Sequence, residues 1–229
     1  MNAALDGARE RAQRVFRSLW RAQDPGGLIR SLLADAEAPL QRRPLFVETG
    51  CGASTFALAE VAARIGGDVY SCECDSEKIA ELRARGGEAL AGVHFLEGDS
   101  LENLARIAAR HEHVDFALFD SAPSATHTLR EFQLLEPRLG AGARVLIDDA
   151  ALPGARLLLS PCRKGKLLVP YLLASPFWTV TAHPRAGDSM VSAVLDAIGA
   201  RSDGEYEDPG YVDHWRATFD RRLRPVAAV

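Results

Sequence analysis

The sequence predicts an α/β fold, a doubly wound, mostly parallel sheet of seven strands with an N-terminal helical extension. Three observations predict it. Short apolar, β-rich runs alternate with helical segments five times between Leu45 and Ile147. The first run passes through a glycine turn straight into a helix, in Leu45-Phe46-Val47-Glu48-Thr49-Gly50-Cys51-Gly52-Ala53-Ser54-Thr55. Acids cluster where the runs end, at Glu48, Glu73, Asp99, Asp120, Asp148 and Asp149. Ligands of open α/β sheets bind at those carboxyl ends.

The elements follow in order. Leu5, Ala8, Ala12, Val15, Phe16 and Leu19 recur at helical spacing, so the first twenty residues read as an amphipathic helix. Pro25-Gly26-Gly27 breaks it, and Leu28, Ile29, Leu32 and Leu33 mark a second short helix. Residues 1–43 thus form a helical extension, read as an accessory element packed by one face. In the core, residues 44–198, strand one is Leu45 to Val47, closed by Glu48. Gly50 and Gly52 permit a tight turn. Ser54 and Thr55 open the helix Phe56 to Ile65, which Gly66-Gly67 stops. Asp68 to Cys74 is strand two, and Ser76 to Arg85 a helix capped by Asp75 or Ser76. Val93 to Leu96 is strand three, and Leu101, Leu104, Ile107 and Ala108 give the next helix its apolar face. Val114 to Phe119 is nearly all apolar, as a strand covered on both faces must be. Thr126 to Leu139 is helical, Gly140-Ala141-Gly142 turns it, and Arg144 to Ile147 is strand five. Lys166 to Leu173 is helical. Phe177 to Ala182 and Ser189 to Leu195 are two further strands around Arg185-Ala186-Gly187-Asp188. Residues 199–229 are a turn-rich tail in which Tyr211, Trp215 and Phe219 line one face of a final helix.

Composition excludes several classes. With 25% charged residues, a net charge of −4 and no basic block, a nucleic-acid partner is not expected. No apolar run reaches the ~18 residues of a membrane span, and the N-terminus has no signal-peptide core. Cys51, Cys72, Cys74 and Cys162 show no zinc-type spacing, so they read as reduced structural thiols in a cytoplasmic protein.

The glycine turn lacks the dinucleotide fingerprint, since Thr55 stands where G-x-G-x-x-G/A needs a small residue. An acid closing the strand, then Gly50-Cys51-Gly52-Ala53-Ser54-Thr55, resembles motif I of the class I S-adenosylmethionine (SAM) methyltransferases. Val69-Tyr70-Ser71-Cys72-Glu73-Cys74-Asp75 is similar to their ribose strand, and Leu96-Glu97-Gly98-Asp99-Ser100 to their adenine motif. The resemblance covers about residues 44 to 150 and implies a Rossmann-like sheet that binds SAM. The expected cofactor residues are Glu48, Thr49, Gly50, Cys51, Gly52, Ser54, Thr55, Glu73, Asp99, Ser100 and Asp120. Among them Glu73 meets the ribose hydroxyls, Asp99 the adenine amino group, and Glu48 the cationic amino-acid end. Asp99 has a rival role as N-cap of the helix from Leu101.

A second acidic set points to a cation. Strands four and five are neighbours in this topology, so Asp120, Asp148 and Asp149 share one crevice. Such groups repel unless one is protonated or a cation lies among them. The arrangement resembles the catechol O-methyltransferase-like enzymes, which implies that Asp120, Asp148 and Asp149 hold Mg²⁺ or another divalent cation. The chain departs from that pattern at Pro123, where those relatives carry a lysine base. His127 is the nearest candidate base, so His127 and Asp120 are the expected catalytic residues. The Asn/Asp-Pro-Pro-Tyr motif of amino-group methylation is absent, which favours oxygen as acceptor.

The resulting expectation is a SAM-dependent enzyme that methylates a hydroxyl of a small molecule with help from a divalent metal. The alternatives are a metal-independent methyltransferase, an aminopropyltransferase and a SAM-binding module without catalysis. The terminal helices are candidates for covering the acceptor or for pairing two subunits as a homodimer.

Overall fold

The computed structural model describes residues 25–34, 42–150, 163–175, 177–183 and 190–195. The amphipathic helix expected in residues 1–20, the Arg185–Asp188 turn, Cys162 and the aromatic stripe of the tail lie outside them, as does any test of a homodimer.

Helix α1 (Pro25–Ala34) precedes β1 (Leu45–Thr49), α2 (Ala53–Ile65) and β2 (Asp68–Glu73). Then come α3 (Ser76–Gly86), β3 (Val93–Glu97), α4 (Ser100–Arg110), β4 (Val114–Phe119) and α5 (Ala125–Leu135). β5 (Leu139–Ile147), α6 (Gly165–Ala174), β6 (Trp178–Ala182) and β7 (Val191–Leu195) follow among the described residues. One seven-stranded sheet results, in the order β3-β2-β1-β4-β5-β7-β6. β1 to β5 are parallel, and β7 runs antiparallel to both β5 and β6. The expected α/β class is therefore the observed one.

Period-two alternation divides the core into two layers. Leu45 and Val47 face a cluster with Leu104 and Ile107 of α4, Phe132 and Leu135 of α5 and Leu168 of α6. Phe46, Phe116 and Leu146 face the other layer, with Leu58 and Val61 of α2 and Ile79 of α3. Leu28, Ile29 and Leu33 of α1 sit in that second layer. Among the described residues no helix is long and apolar enough to cross a membrane.

The largest boundary differences from expectation lie between α5 and β5. The helix expected to run to Leu139 ends at Leu135, where Pro137 opens a short 3₁₀ turn over Glu136–Arg138. Proline has no N–H to continue the α ladder. β5 accordingly starts at Leu139 and takes in Gly140-Ala141-Gly142, which were expected to turn. Cys74 lies past the end of β2 and is exposed, whereas Cys51 and Cys72 are buried, and all three are free thiols.

Candidate cofactor site

The site is built at the carboxyl ends of β1, β2 and β4. Gly50 turns the chain with φ +86°, and its N–H donates to the Cys72 carbonyl at 2.8 Å. Asp120 N–H donates to the Thr49 carbonyl at 2.9 Å, drawing the end of β4 against the turn. A Cβ on Gly50 would run into the Asp120 carbonyl. Glycine is needed there both for its positive φ and for the close approach. Beside this turn opens a cavity of about 320 Å³ whose wall includes Gly50, Glu73, Asp99, Ser100, Asp120 and His127.

Glu73 is buried at the end of β2. Its carboxylate accepts from Cys51 N at 3.2 Å, Cys74 N at 2.8 Å, Asp75 N at 3.1 Å and Lys78 Nζ at 2.7 Å. Burial alone would raise its pKa. The Lys78 ammonium and the backbone N–H of Asp75 outweigh burial and hold it at about 2. Asp99 fills the expected rival role: its Oδ1 caps α4 by accepting from Leu101 N at 2.7 Å and Glu102 N at 3.3 Å. It also lines the cavity, so cap and cavity wall are one residue.

Glu48 is placed otherwise than expected. It is fully buried and accepts from Ser54 Oγ at 2.7 Å, Thr55 Oγ1 at 2.5 Å and Ser71 Oγ at 2.7 Å. Alternation puts Glu48 on the face of Phe46, under α2, and not in the cavity. Burial pushes its pKa up to about 7 against these hydroxyls. Ser54 and Thr55 are thus committed to Glu48, and Gly52 N donates to Thr55 Oγ1 at 2.8 Å. Cys51 presents its backbone to Glu73, and Thr49 Oγ1 donates to Glu131 at 3.2 Å. None of these six residues is among those lining the cavity. They shape the turn.

His127 lies on the first turns of α5, which Ser124 caps by accepting from His127 N at 3.3 Å. Its Nε2 is 2.8 Å from Ser100 Oγ and 3.2 Å from Glu131 Oε1. Glu131 is fully buried, and its Oε1 also accepts from Ser100 Oγ at 2.5 Å and Ser121 Oγ at 2.6 Å. Ser100 has one hydroxyl proton and gives it to Glu131. The tautomer with its proton on Nε2 suits these two acceptors and leaves Nδ1 with the lone pair. Sequence reasoning missed Glu131. The i,i+4 spacing from His127 on one helix is the signal that could have found it.

The second acidic set meets organic cations. Lys164, one residue before α6 and 3% exposed, makes an ion pair with Asp120 Oδ1. Arg163 Nη1 pairs with Asp149 Oδ1 at 3.0 Å. Asp148 is pushed up to about 6 by burial and by Asp120, with Lys164 opposing. Its Oδ1 is buried with no hydrogen-bond partner among the described residues. Burial and Asp148 likewise raise the pKa of Asp149. Among the described residues no three His, Cys, Asp or Glu side chains are grouped so as to hold a metal ion. Lys164 and Arg163 thus engage Asp120 and Asp149, two of the three residues of the expected ligand set.

Residues 47–150 match the family model described as a methyltransferase domain. A tRNA (guanine-N(7)-)-methyltransferase of Mycobacterium avium (strain 104) is 30% identical over 128 residues, 55% of this chain and 47% of that protein. The chain thus spans about half the length of the curated relatives it matches. The O-methyltransferase from Bacillus cereus, solved with S-adenosylhomocysteine (SAH), has a TM-score of 0.57 at 19% identity, covering 82% of this chain and 90% of that one. The O-methyltransferase TomG from Streptomyces achromogenes, solved with SAM, has a TM-score of 0.57 at 20% identity, covering 75% of this chain and 79% of that one. These two likenesses show the shared fold. Over residues 47–150, which carry the strand order and the acid-lined cavity at the strand ends, the chain is thus similar to a methyltransferase domain.

Proposed function

We propose that the chain transfers the methyl group of SAM to a hydroxyl of a small molecule, with His127 taking the proton. The observation that carries this reading is His127 in the cavity wall, held by Ser100 and the buried Glu131. A base oriented by a carboxylate is the arrangement that proton abstraction asks for. The acceptor oxygen attacks the methyl carbon, the carbon–sulfur bond breaks, and the sulfonium becomes the neutral thioether of SAH. The hydroxyl proton goes to Nδ1 of His127. Glu73 takes the ribose hydroxyls and Asp99 the adenine edge, leaving Asp120 at the reacting end. The protein's own share is mostly positioning for in-line transfer.

Oxygen as acceptor is favoured by the solved relatives whose names are O-methyltransferases. A small-molecule acceptor, and no nucleic acid, is favoured by the net charge of −4. The test is transfer from labelled SAM to a panel of hydroxylated compounds, by the wild type and by His127→Gln. Loss of transfer in the variant with SAH affinity retained supports the reading. Equal transfer by both proteins overturns the role of His127.

A further inference from the structure

At the ends of β4 and β5 three carboxylates, Asp120, Asp148 and Asp149, face two consecutive cations, Arg163 and Lys164. Lysine is almost never buried to 3% exposure unless it is paired. Here the placement is built into the backbone. Gly165, the first residue of α6, packs so closely on the chain after β5 that a Cβ would collide with the backbone of Ala150. That contact sets the neighbouring Lys164 beside Asp120 and within electrostatic reach of Asp148 and Asp149. An ammonium in such a site is stable because carboxylates surround it.

We propose that Lys164 is the resident cation of this carboxylate cluster, standing in place of the divalent ion that the family resemblance implies. It acts as a positioning residue through Asp120, with which it pairs at the cavity wall. The inference rests on the proposed methyl transfer for the role of Asp120, but the ion-binding test below needs no acceptor. A lysine cannot be stripped by a chelator. It also offers no open coordination position to an acceptor oxygen. Proton removal then falls to His127, in a chain with Pro123 at the position where the catechol O-methyltransferase-like resemblance implies a lysine.

The experiment is calorimetric titration of the full chain with MgCl₂ and with CaCl₂, for the wild type, Lys164→Met and Lys164→Arg. The wild type and Lys164→Arg are expected to take up no ion. Lys164→Met leaves Asp120 and Asp148 without their ammonium, beside an Asp149 still paired with Arg163, and is expected to bind about one ion per chain, about tenfold or more tighter than the wild type. Adding Asp149→Asn should remove that binding. SAH affinity, weakened in Lys164→Met, should recover with Mg²⁺ or in Lys164→Arg. Stoichiometric Mg²⁺ binding by the wild type that Asp149→Asn abolishes would overturn the proposal. So would a folded Lys164→Met that takes up no ion. Should Lys164→Met not fold, the wild type decides. SAH affinity equal in chelator and in Mg²⁺ supports the resident lysine, and a Mg²⁺-dependent gain contradicts it.

Discussion

Nε2 of His127 lies 3.2 Å from Oε1 of Glu131, one helical turn further along α5, and that carboxylate is wholly out of water. It collects protons from Ser100, Ser121 and Thr49 as well, so one buried acid ties α5 to the ends of β1, β3 and β4. Glu131→Gln keeps the shape but places an NH₂ among donors. We expect kcat to fall by about 10²-fold, the lower end of a general base's contribution. SAH affinity should change little. Steady-state kinetics alongside SAH calorimetry checks this, and an equal loss in both would mark the network as purely structural.

Glu73 is expected to carry ribose recognition. Glu73→Ala should weaken SAH binding by about 1.5–3 kcal/mol, the scale of hydrogen bonds to a charged group. With its pKa held at about 2, Glu73 stays ionised at neutral and mildly acid pH, so its contribution to SAH affinity should be flat there. Calorimetry over that range tests both points. Unchanged affinity in the variant removes Glu73 from the site.

Glu48 sets a pH dependence of stability. Its pKa rises from 4.5 to about 7 because burial disfavours the charged form. The folded state therefore binds the proton more tightly than the unfolded chain. The contribution is fully present below pH 4.5 and is lost as pH climbs through about 7. Its size is on the order of 3 kcal/mol. Unfolding by denaturant across that window should show stability falling with pH in the wild type, and a flatter profile in Glu48→Gln. Identical slopes would mean Glu48 titrates normally. Glu73 acts oppositely, its contribution being present above 4.5 and lost as pH falls toward 2.

Much of this was legible in the chain. Alternating apolar runs and helices gave the five parallel strands, and the strand-end acids gave the edge at which the cavity lies. Glu48 shows what a motif leaves open. Its position at a strand end is legible, but which face it takes depends on the pleat, and the pleat puts it with Phe46 beneath α2. Glu131 lies in a helix whose inward face becomes visible only once Ser100 and Ser121 arrive from other strand ends. Lys164 is 44 residues from Asp120, brought there by the close contact of Gly165 with Ala150, and no spacing rule links them. The start of β5 was hidden because Gly140-Ala141-Gly142 has turn composition, while Pro137 had already ended the helix.

Gly50→Ala tests the geometry of the turn. Alanine must adopt φ +86° and push its Cβ into the Asp120 carbonyl. Destabilisation above about 1 kcal/mol is expected, with a larger loss of SAH binding, because the cavity wall itself moves. Thermal unfolding and SAH titration read the two effects separately. A variant with wild-type stability and affinity would show that β1 and β4 do not approach as described.

The measurement closest to the central claim is carbon NMR of products formed from SAM labelled with ¹³C in its methyl group. The protein is incubated in chelator with hydroxylated small molecules, and in a parallel sample with tRNA. The carbon shift separates methyl groups on oxygen, nitrogen and carbon. The account predicts label in an O-methyl group of a small molecule, formed without added metal and lost in His127→Gln. Label appearing in tRNA as an N-methyl group, or transfer that requires a divalent ion, would contradict it.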